Sequence, residues 1–159
     1  MTDNPVPEIS DNILDTLEHI LISNDNRLDW NKYFMGLAIW SKQRSVCHRL
    51  KVGCVIVKDN RLICMGYNGF LPNSPHTSIV RDNHEIATVH AEQNAISDAA
   101  SRGVSVKDSI IYITHYPCIN CFKSIVSAGI KNIFYHNDYK NDNIVNDLAV
   151  QNGIKIIKL

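Results

Sequence analysis

The sequence predicts an α/β fold in which helices cover both faces of a mixed β-sheet. The runs VGCVIVK (52–58) and RLICMGY (61–67) are apolar and rich in β-branched residues. The pair Asp59-Asn60 between them favours a tight turn, so the two runs predict an antiparallel hairpin. Further along the chain, strand-like and helix-like runs alternate, which indicates parallel pairing. No internal repeat is visible in the 159 residues, and one compact domain is expected.

Residues 1–28 are predicted to form an N-terminal extension with a short packed helix. Five apolar residues recur there at helical spacing, namely Ile13, Leu14, Leu17, Ile20 and Leu21. The domain proper is expected to span residues 29–159. Its first helix follows the N-cap residue Asp29 over WNKYFMGLAIWSKQR. The apolar face of this helix is predicted to hold Tyr33, Phe34, Leu37, Ala38 and Trp40 or Ser41.

The remaining elements follow from periodicity and from stop signals. YNGFLPNSP is expected to be a loop, and HAEQNAISDAASRG a helix that ends at Gly103. The inward residues of that helix are expected to be Ala91, Ala95, Ile96 and Ala99. SIIYITH, KNIFYH and IKIIKL are predicted strands. The helices between them, CINCFKSIVSAG and NIVNDLAVQNG, end at Gly129 and Gly153.

Composition narrows the classes of function. Sixteen Lys and Arg residues balance sixteen Asp and Glu residues, without runs of like charge, so a small-molecule substrate is expected rather than nucleic acid. The sequence has neither a long apolar stretch nor a signal-like N-terminus, which predicts a soluble cytoplasmic protein without membrane contact. The odd number of cysteines, five, suits reduced thiols. Cys54 and Cys64 lie in apolar runs and are expected to be small buried hydrophobic residues.

Cys118 and Cys121 stand two residues apart in PCINC, directly after a strand and at the start of a helix. This spacing lets two thiolates bind one tetrahedral zinc ion. A helix N-terminus also lowers a thiol pKa, which favours the ionised form that zinc requires. The alternative is a redox-active pair of cysteines.

His90 and Glu92 open the preceding helix in VHAEQNAI. His90 is the candidate third ligand. Residues two apart on a helix point about 200° away from each other, so Glu92 is expected to stay off the ion that His90 binds. Three protein ligands leave a fourth position for water, as in a catalytic zinc site. A closed structural site with a fourth, unseen protein ligand is the alternative.

The order His-x-Glu followed by Pro-Cys-x-x-Cys is the signature of zinc-dependent deaminases, in which the glutamate acts as general acid and base. The sequence therefore predicts a hydrolytic deaminase that depends on Zn²⁺, with Glu92 as its catalytic residue.

The sequence around these motifs resembles that of the deoxycytidylate (dCMP) deaminase family. The resemblance runs through RSVCHRLKVGCVIVKDNRLICMGYNG, VHAEQNAISDAASRG, IYITHYPCINCFKSIVSAGIKNIFY and DYK. It implies a three-layer α/β/α sandwich with a mixed five-stranded sheet, like that of cytidine deaminases. The implied reaction converts dCMP and water into dUMP and ammonia, which supplies dUMP for thymidylate synthesis.

The resemblance also implies roles outside the metal motif. The backbone around Ala91 would contact the base, and Asn68 would bind the sugar; the alternative for Asn68 is a turn residue in a left-handed conformation. Family members are often homohexamers, activated by dCTP and inhibited by dTTP with Mg²⁺. The loop formed by Gly66, Tyr67, Asn68 and Gly69 would lie close to that regulatory site.

Residues 70–88 differ from the family's usual sequence, which supplies cysteines for a second, structural Zn²⁺. Cys47, His76 and His84 could still form part of such a site, since zinc accepts mixed ligands. The alternative is an ordinary buried thiol and two histidines without metal. Three basic residues around Cys47 remain unassigned as phosphate contacts, namely Arg44, Arg49 and Lys51.

Two rival functions stay open at this point. One is another deaminase of the same fold, acting on cytidine, dCTP, guanine or a tRNA adenosine. The other is a non-catalytic zinc-binding regulatory protein. The carboxylate of Glu92 argues against the non-catalytic protein, because a purely structural zinc site does not need this carboxylate.

Overall fold

The computed structural model describes residues 13–22, 27–82 and 84–159. The helices in this part of the chain are α1 (Ile13–Ile22), α2 (Trp30–Ser41), α3 (Ala91–Ser101), α4 (Ile119–Ser127) and α5 (Asn143–Asn152). The longer strands are β1 (Gly53–Lys58), β2 (Arg61–Tyr67), β7 (Ile110–His115), β8 (Asn132–Asn137) and β9 (Lys155–Lys158). Four two-residue strands are β3 (Gly69–Phe70), β4 (Val80–Arg81), β5 (His84–Glu85) and β6 (Thr88–Val89).

The five longer strands form one mixed sheet in the order β2-β1-β7-β8-β9. Strand β1 runs antiparallel to both β2 and β7, whereas β8 runs parallel to β7 and to β9. Asp59 and Asn60 turn the hairpin with φ angles of 51° and 55°, which the two-residue hairpin turn requires. The predicted mixed five-stranded sheet is confirmed.

Helices cover both faces of this sheet and complete the three-layer α/β/α sandwich. On one face α2 packs Phe34, Met35 and Ala38 against inward residues of β1 and β7 such as Val55 and Tyr112. On the other face α3, α4 and α5 share one core with the alternate sheet residues. Successive residues of each strand therefore point to opposite faces of the sheet.

The predicted helix ends are also confirmed. The Asp29 carboxylate caps α2 by accepting from the Lys32 N–H at 3.0 Å. The chain leaves α4 and α5 through Gly129 and Gly153, whose φ angles of +86° and +64° lie in the left-handed region that favours glycine.

Three local expectations need correction. Helix α1 forms, but Ile13, Leu14 and Leu21 are 63%, 59% and 50% exposed, so these residues do not pack as predicted. The side chain of Ile20 and residues 1–12 and 23–26 lie outside the described part of the chain. The region between Tyr67 and His90, which was expected to be a loop and irregular, contains the four short strands. Strand β3 pairs with β6, and β4 pairs with β5, both antiparallel.

The buried face of α2 is narrower than predicted. Tyr33 and Trp40 are 45% and 43% exposed, while Met35 is buried instead. The buried residues of this helix are Phe34, Met35, Ala38 and Ser41. Among the described residues, no helix has the length and apolar character needed to cross a membrane.

Candidate active site and metal centre

A cavity of about 670 Å³ lies where the N-termini of α3 and α4 meet the loops that follow β7 and β8. Such crevices at the carboxyl ends of parallel strands are common ligand sites in open α/β sheets. The walls of the cavity include His90, Glu92 and Cys118. The chain fold therefore brings both halves of the sequence motif to one opening.

Three metal-ligand side chains converge at this opening. The Nδ1 atom of His90 lies 3.6 Å from the Cys118 sulfur and 3.4 Å from the Cys121 sulfur. The ligand atoms of all three residues lie within 4.8 Å of one another. The structure thus brings the three predicted ligands together.

The local structure explains this convergence. His90 and Cys118 occupy the N-cap positions of α3 and α4 with extended backbones, and neither side chain is used to cap its helix. Both side chains therefore remain available to a ligand. The first N–H groups of each helix lack partners within the helix and favour negative charge near its N-terminus.

The electrostatics of the site favour thiolate. A hydrogen bond from the Cys121 thiol, together with His90, lowers the pKa of Cys118 to about 4. The pKa of Cys121 is raised because its proton is shared with the Cys118 sulfur and because the thiol is buried. The hydrogen bond to Cys118 raises the pKa of His90. A proton shared among these three groups is what a divalent cation would displace.

The Glu92 side chain lies beside this group and is only 4% exposed. Burial raises the pKa of its carboxyl group, and the neighbouring Cys121 thiol and His90 act in the opposite direction. Among the described residues, Glu92 is not part of the group of ligand atoms that could hold a metal ion. Its carboxylate is therefore placed next to the ligands without joining them.

The donor set fits zinc. Two sulfurs and one imidazole nitrogen are ligands that zinc accepts in tetrahedral sites, and three protein ligands are typical of catalytic zinc. Calcium and magnesium prefer oxygen ligands, so the same donors do not suit them.

Residues 28–137 match the family model described as the cytidine and deoxycytidylate deaminase zinc-binding region. The chain belongs to this family. It is 42% identical to ComE operon protein 2 of Bacillus subtilis over 134 residues, which are 82% of this chain and 71% of that protein. It is 34% identical to the human deoxycytidylate deaminase over 128 residues, with 74% of this chain and 70% of that protein covered.

A solved structure of similar fold is the dCMP deaminase of cyanophage S-TIM5 in complex with dCMP and dUMP. The TM-score is 0.74 at 32% sequence identity, and the match covers 84% of this chain and 99% of that one. The likeness confirms the cytidine-deaminase-like fold. The family match and the three converging ligands support Zn²⁺ as the metal of this deaminase family member.

Asn68, the predicted sugar contact, lines the cavity but is largely engaged within the protein. Its Oδ1 atom accepts from the Val52 N–H at 2.8 Å and lies 2.7 Å from the Ser45 hydroxyl. Its Nδ2 atom donates to the Leu50 carbonyl at 2.8 Å. An amide nitrogen has two hydrogens, so one remains for another acceptor. The alternative interpretation of Asn68 as a left-handed turn residue is wrong, because Asn68 is not among the residues with positive φ.

The loop that contains Asn68 packs directly against the start of α3. A Cβ atom on Gly66 would stand 2.2 Å from the Ala91 carbonyl oxygen, so only glycine fits there. The Asn94 side chain donates to the Tyr67 carbonyl at 2.8 Å. Ala91, the predicted base contact, is fully buried at the first position of α3. The Gly66–Gly69 segment is thus fixed to the helix that carries Glu92.

The residues proposed for a second metal do not form a described cluster. Cys47 is buried and lines the cavity, whereas the His76 ring stacks on Phe70 at 5.2 Å. The side chain of His84 lies outside the described part of the chain. Within the described residues, His90, Cys118 and Cys121 are the one group that could hold a metal ion.

The two remaining cysteines behave as expected. Cys54 and Cys64 are buried, and their thiols donate to the Ala91 and Ala95 carbonyls of α3 at 3.2 and 3.4 Å. Burial raises the pKa of the Cys54 thiol. It also raises the pKa of the Cys64 thiol, to about 11. Neither thiol is prone to ionise at neutral pH.

Several cavity residues were missed by sequence reasoning. They lie at or after the ends of the parallel strands, and they include His115, Tyr116, Tyr139, Lys140 and Asp142. Their position after β7 and β8 is the signal that could have identified them, because ligands bind at the carboxyl ends of such strands. Burial, with Lys42 nearby, lowers the pKa of His115, which keeps this imidazole neutral beside the site.

Proposed function

We propose that this chain catalyses the hydrolytic deamination of dCMP to dUMP and ammonia, with Glu92 as the catalytic acid and base. The observation that carries the proposal is the convergence of His90, Cys118 and Cys121 beside the buried Glu92, at one cavity. The similarity to proteins named deoxycytidylate deaminase supports the substrate.

His90 through Nδ1, Cys118 and Cys121 would hold the zinc ion. When bound, zinc supplies the Lewis acidity that lowers the pKa of water toward neutrality. The helix N-termini that carry His90 and Cys118 help to stabilise the thiolates. The protein would thereby provide three ligands, with Glu92 beside them.

Glu92 moves the protons. Its carboxylate takes a proton from the attacking water and delivers it to N3 of the cytosine ring, while the water oxygen bonds to C4. It then transfers the second water proton to the amino group, the C4–N bond breaks, and ammonia leaves as C4 becomes a carbonyl. The raised pKa of Glu92 suits it for both directions of transfer.

The backbone at the start of α3 and the Asn68 amide would orient the substrate. The first N–H groups of a helix lack partners within it, so the N–H of Ala91 is available to the pyrimidine. The remaining Nδ2 hydrogen of Asn68 would bind the sugar hydroxyl. Both groups are held in place by the contacts described above.

The test is a substrate panel. Purified zinc-loaded protein is offered dCMP, dCTP, deoxycytidine, CMP and guanine, and ammonia and the deaminated base are quantified together. We expect dCMP to be turned over with equal amounts of dUMP and ammonia. If dCMP is untouched while another compound is deaminated, the substrate assignment is wrong and the chemistry stands.

Regulation and assembly extend this proposal. A homo-oligomer, such as the hexamer that the resemblance implies, would be activated by dCTP and inhibited by dTTP with Mg²⁺ at Gly66–Gly69, and a cytoplasmic location fits the composition. A second zinc ion would use Cys47, His76 and His84. Metal counts per chain, sizing by light scattering, and dCMP kinetics with each effector test these points separately.

A further inference from the structure

The cavity wall carries an imidazole, that of His115, which the chemistry proposed for zinc and Glu92 does not use. His115 is the last residue of β7 and is half-buried. Its neighbours in the chain are both bonded to Asn137 of β8. The Asn137 side chain donates to the Thr114 carbonyl at 3.0 Å, and the Tyr116 N–H donates to the Asn137 carbonyl at 2.9 Å. The imidazole is therefore attached to a fixed part of the sheet.

The hydroxyl group of Thr114 determines which nitrogen of this imidazole carries the proton. Thr114 is fully buried, and its Oγ1 accepts from the Gly53 N–H at 3.1 Å. A buried hydroxyl must also donate its own hydrogen, because an unpaired buried donor costs free energy. Among the described residues, the acceptor within reach of this hydroxyl is Nδ1 of His115, at 2.9 Å. Nδ1 therefore accepts, and the hydrogen-bond network assigns the ring proton of the uncharged imidazole to Nε2.

The Nε2–H group of His115 is then left as a donor at the cavity. Within the described part of the chain, the hydrogen bond of this side chain is the one at Nδ1. The Tyr139 ring stands edge to face with the imidazole, with ring centroids 6.1 Å apart, and supports it from the loop after β8. Polar groups that lie on the wall of a cavity without a protein partner are the ones that orient a ligand.

The charge of His115 narrows the kind of acceptor that it suits. Burial, with Lys42 and His136 nearby, lowers the pKa of His115, so the imidazole is uncharged at neutral pH. Phosphate groups are bound most strongly by cations, through charge-assisted hydrogen bonds. An uncharged N–H group instead fits a carbonyl or sugar oxygen. The nucleoside part of a nucleotide supplies oxygens of this kind.

We propose that His115 is a substrate-contacting residue that donates from Nε2 to an uncharged oxygen of the nucleoside part of the substrate, and that Thr114 is a positioning residue that holds His115 in the Nε2–H tautomer. This inference rests on the proposed function and adds a contact outside the zinc ligands and the start of α3. Thr114 does not line the cavity, so its effect on the substrate passes through His115.

The tautomer is tested without any substrate. Long-range ¹H–¹⁵N correlation spectra of the labelled, zinc-loaded protein distinguish protonated from unprotonated ring nitrogens, and the signals missing in His115→Gln belong to His115. We expect Nε2 to be protonated and Nδ1 unprotonated at neutral pH. Thr114→Val removes the hydroxyl and should give a mixture of both tautomers, whereas Thr114→Ser keeps the hydroxyl and should keep the Nε2–H form.

Two results of these spectra would contradict the assignment. A protonated Nδ1 in the unmodified protein would overturn the tautomer. An unchanged tautomer in Thr114→Val would overturn the positioning role of the threonine, and Thr114→Ala supplies the same comparison if the valine variant does not fold.

The contact with the substrate is tested by two amide side chains. Glutamine places its amide nitrogen near the position of Nε2, whereas asparagine reaches only to that of Nδ1. For His115→Asn we expect kcat/KM to fall about three- to tenfold for both dCMP and deoxycytidine, because one uncharged hydrogen bond is lost. His115→Gln should keep most of the activity. His136→Asn is the matched control, since it changes a histidine of the same sheet outside the cavity, and it should leave kcat/KM unchanged.

Equal losses in His115→Gln and His115→Asn, or no loss in His115→Asn, would overturn the contact from Nε2. A loss confined to dCMP would place His115 at the phosphate and overturn the choice of an uncharged oxygen; inhibition by deoxyuridine replaces deoxycytidine turnover if that turnover is too slow to measure. If the unmodified protein deaminates neither substrate, the proposed function itself fails, while the spectra still decide the tautomer. The two failures are therefore distinguishable.

Discussion

Glu92 shows how its surroundings change the chemistry of one residue. It is nearly inaccessible to water, and it lies next to three metal ligands without belonging to them. An ordinary surface glutamate would be ionised and solvated. Burial raises the pKa of this one, which suits the proton-transfer role that we propose for it.

Replacement of this carboxylate tests its role. In Glu92→Gln we expect kcat for dCMP to fall by about 10²–10⁴-fold, the usual contribution of a general acid and base, because the amide cannot accept the proton. Zinc content, measured by atomic absorption, should stay at the value of the unmodified protein. Full activity in this variant would show that another group moves the protons.

Gly66 is a second residue whose surroundings restrict which amino acid fits. In Gly66→Ala the new methyl group would stand 2.2 Å from the Ala91 carbonyl oxygen, so β2 and α3 must move apart. We expect a loss of about 1–3 kcal/mol or more in the free energy of unfolding by urea, together with lower activity. Gly36→Ala is the matched control, because nothing lies within 4 Å of its added Cβ, and it should stabilise α2.

At the scale of elements, the N-termini of helices α3 and α4 carry the candidate metal ligands. Each begins with a metal-ligand candidate at its N-cap position, and neither ligand is consumed by capping. In contrast, α2 and α5 begin with Asp29 and Asp142, whose carboxylates do cap their helices. The N-cap residues of α3 and α4 are thus candidate ligands, whereas those of α2 and α5 cap their helices.

The Asp29 cap gives a pH-dependent prediction. Its hydrogen bond with the Lys32 N–H lowers the pKa of Asp29 below 3.8, so the cap stabilises the fold above about pH 4 and is lost as the pH falls further. Asp29→Ala should therefore lower the urea midpoint at pH 7, and the difference from the unmodified protein should shrink toward pH 3.

Asp29→Ser serves as the control, because serine keeps the cap without a titrating group. It should retain most of the stability and lose this pH dependence. A constant difference between Asp29→Ala and the unmodified protein across the whole pH range would contradict the assignment.

At the scale of the whole molecule, the site joins parts that are distant in sequence. His90 belongs to the connection between β6 and α3, and the two cysteines belong to the start of α4 after β7. A zinc ion bound to all three would link these helices to each other. Ligands that bind only the native state add to its stability.

Removal of the metal should therefore destabilise the domain. We expect a chelator to lower the melting temperature, by an amount equivalent to about 2.7 kcal/mol if free zinc stands at 100 times its Kd, and re-addition of zinc should restore it. Cys118→Ser should start from a lower melting temperature and respond less to the chelator. An unchanged melting temperature after metal removal, verified by metal analysis, would refute this structural contribution.

The sequence by itself predicted the longer strands and helices, the mixed pairing of the sheet and the candidate ligand set. Period-two and helical patterns identified β1, β2, β7, β8 and β9 and four of the helices closely, because each of them buries one face. The spacing Cys118-x-x-Cys121 and the pair His90 and Glu92 carry their chemistry locally, so the motif could be recognised without a structure. These features depend on residues close together in the chain.

Only the tertiary structure decided which other residues face the cavity. Arg49 could not be separated from Arg44 and Lys51 by sequence, since all three flank the same loop, and the hydrogen bond between Ser45 and Asn68 joins residues 23 positions apart. Tyr139 and Lys140 reach the site because the parallel sheet aligns the ends of β7 and β8. Such contacts arise from the pairing of distant segments, and no local pattern records them.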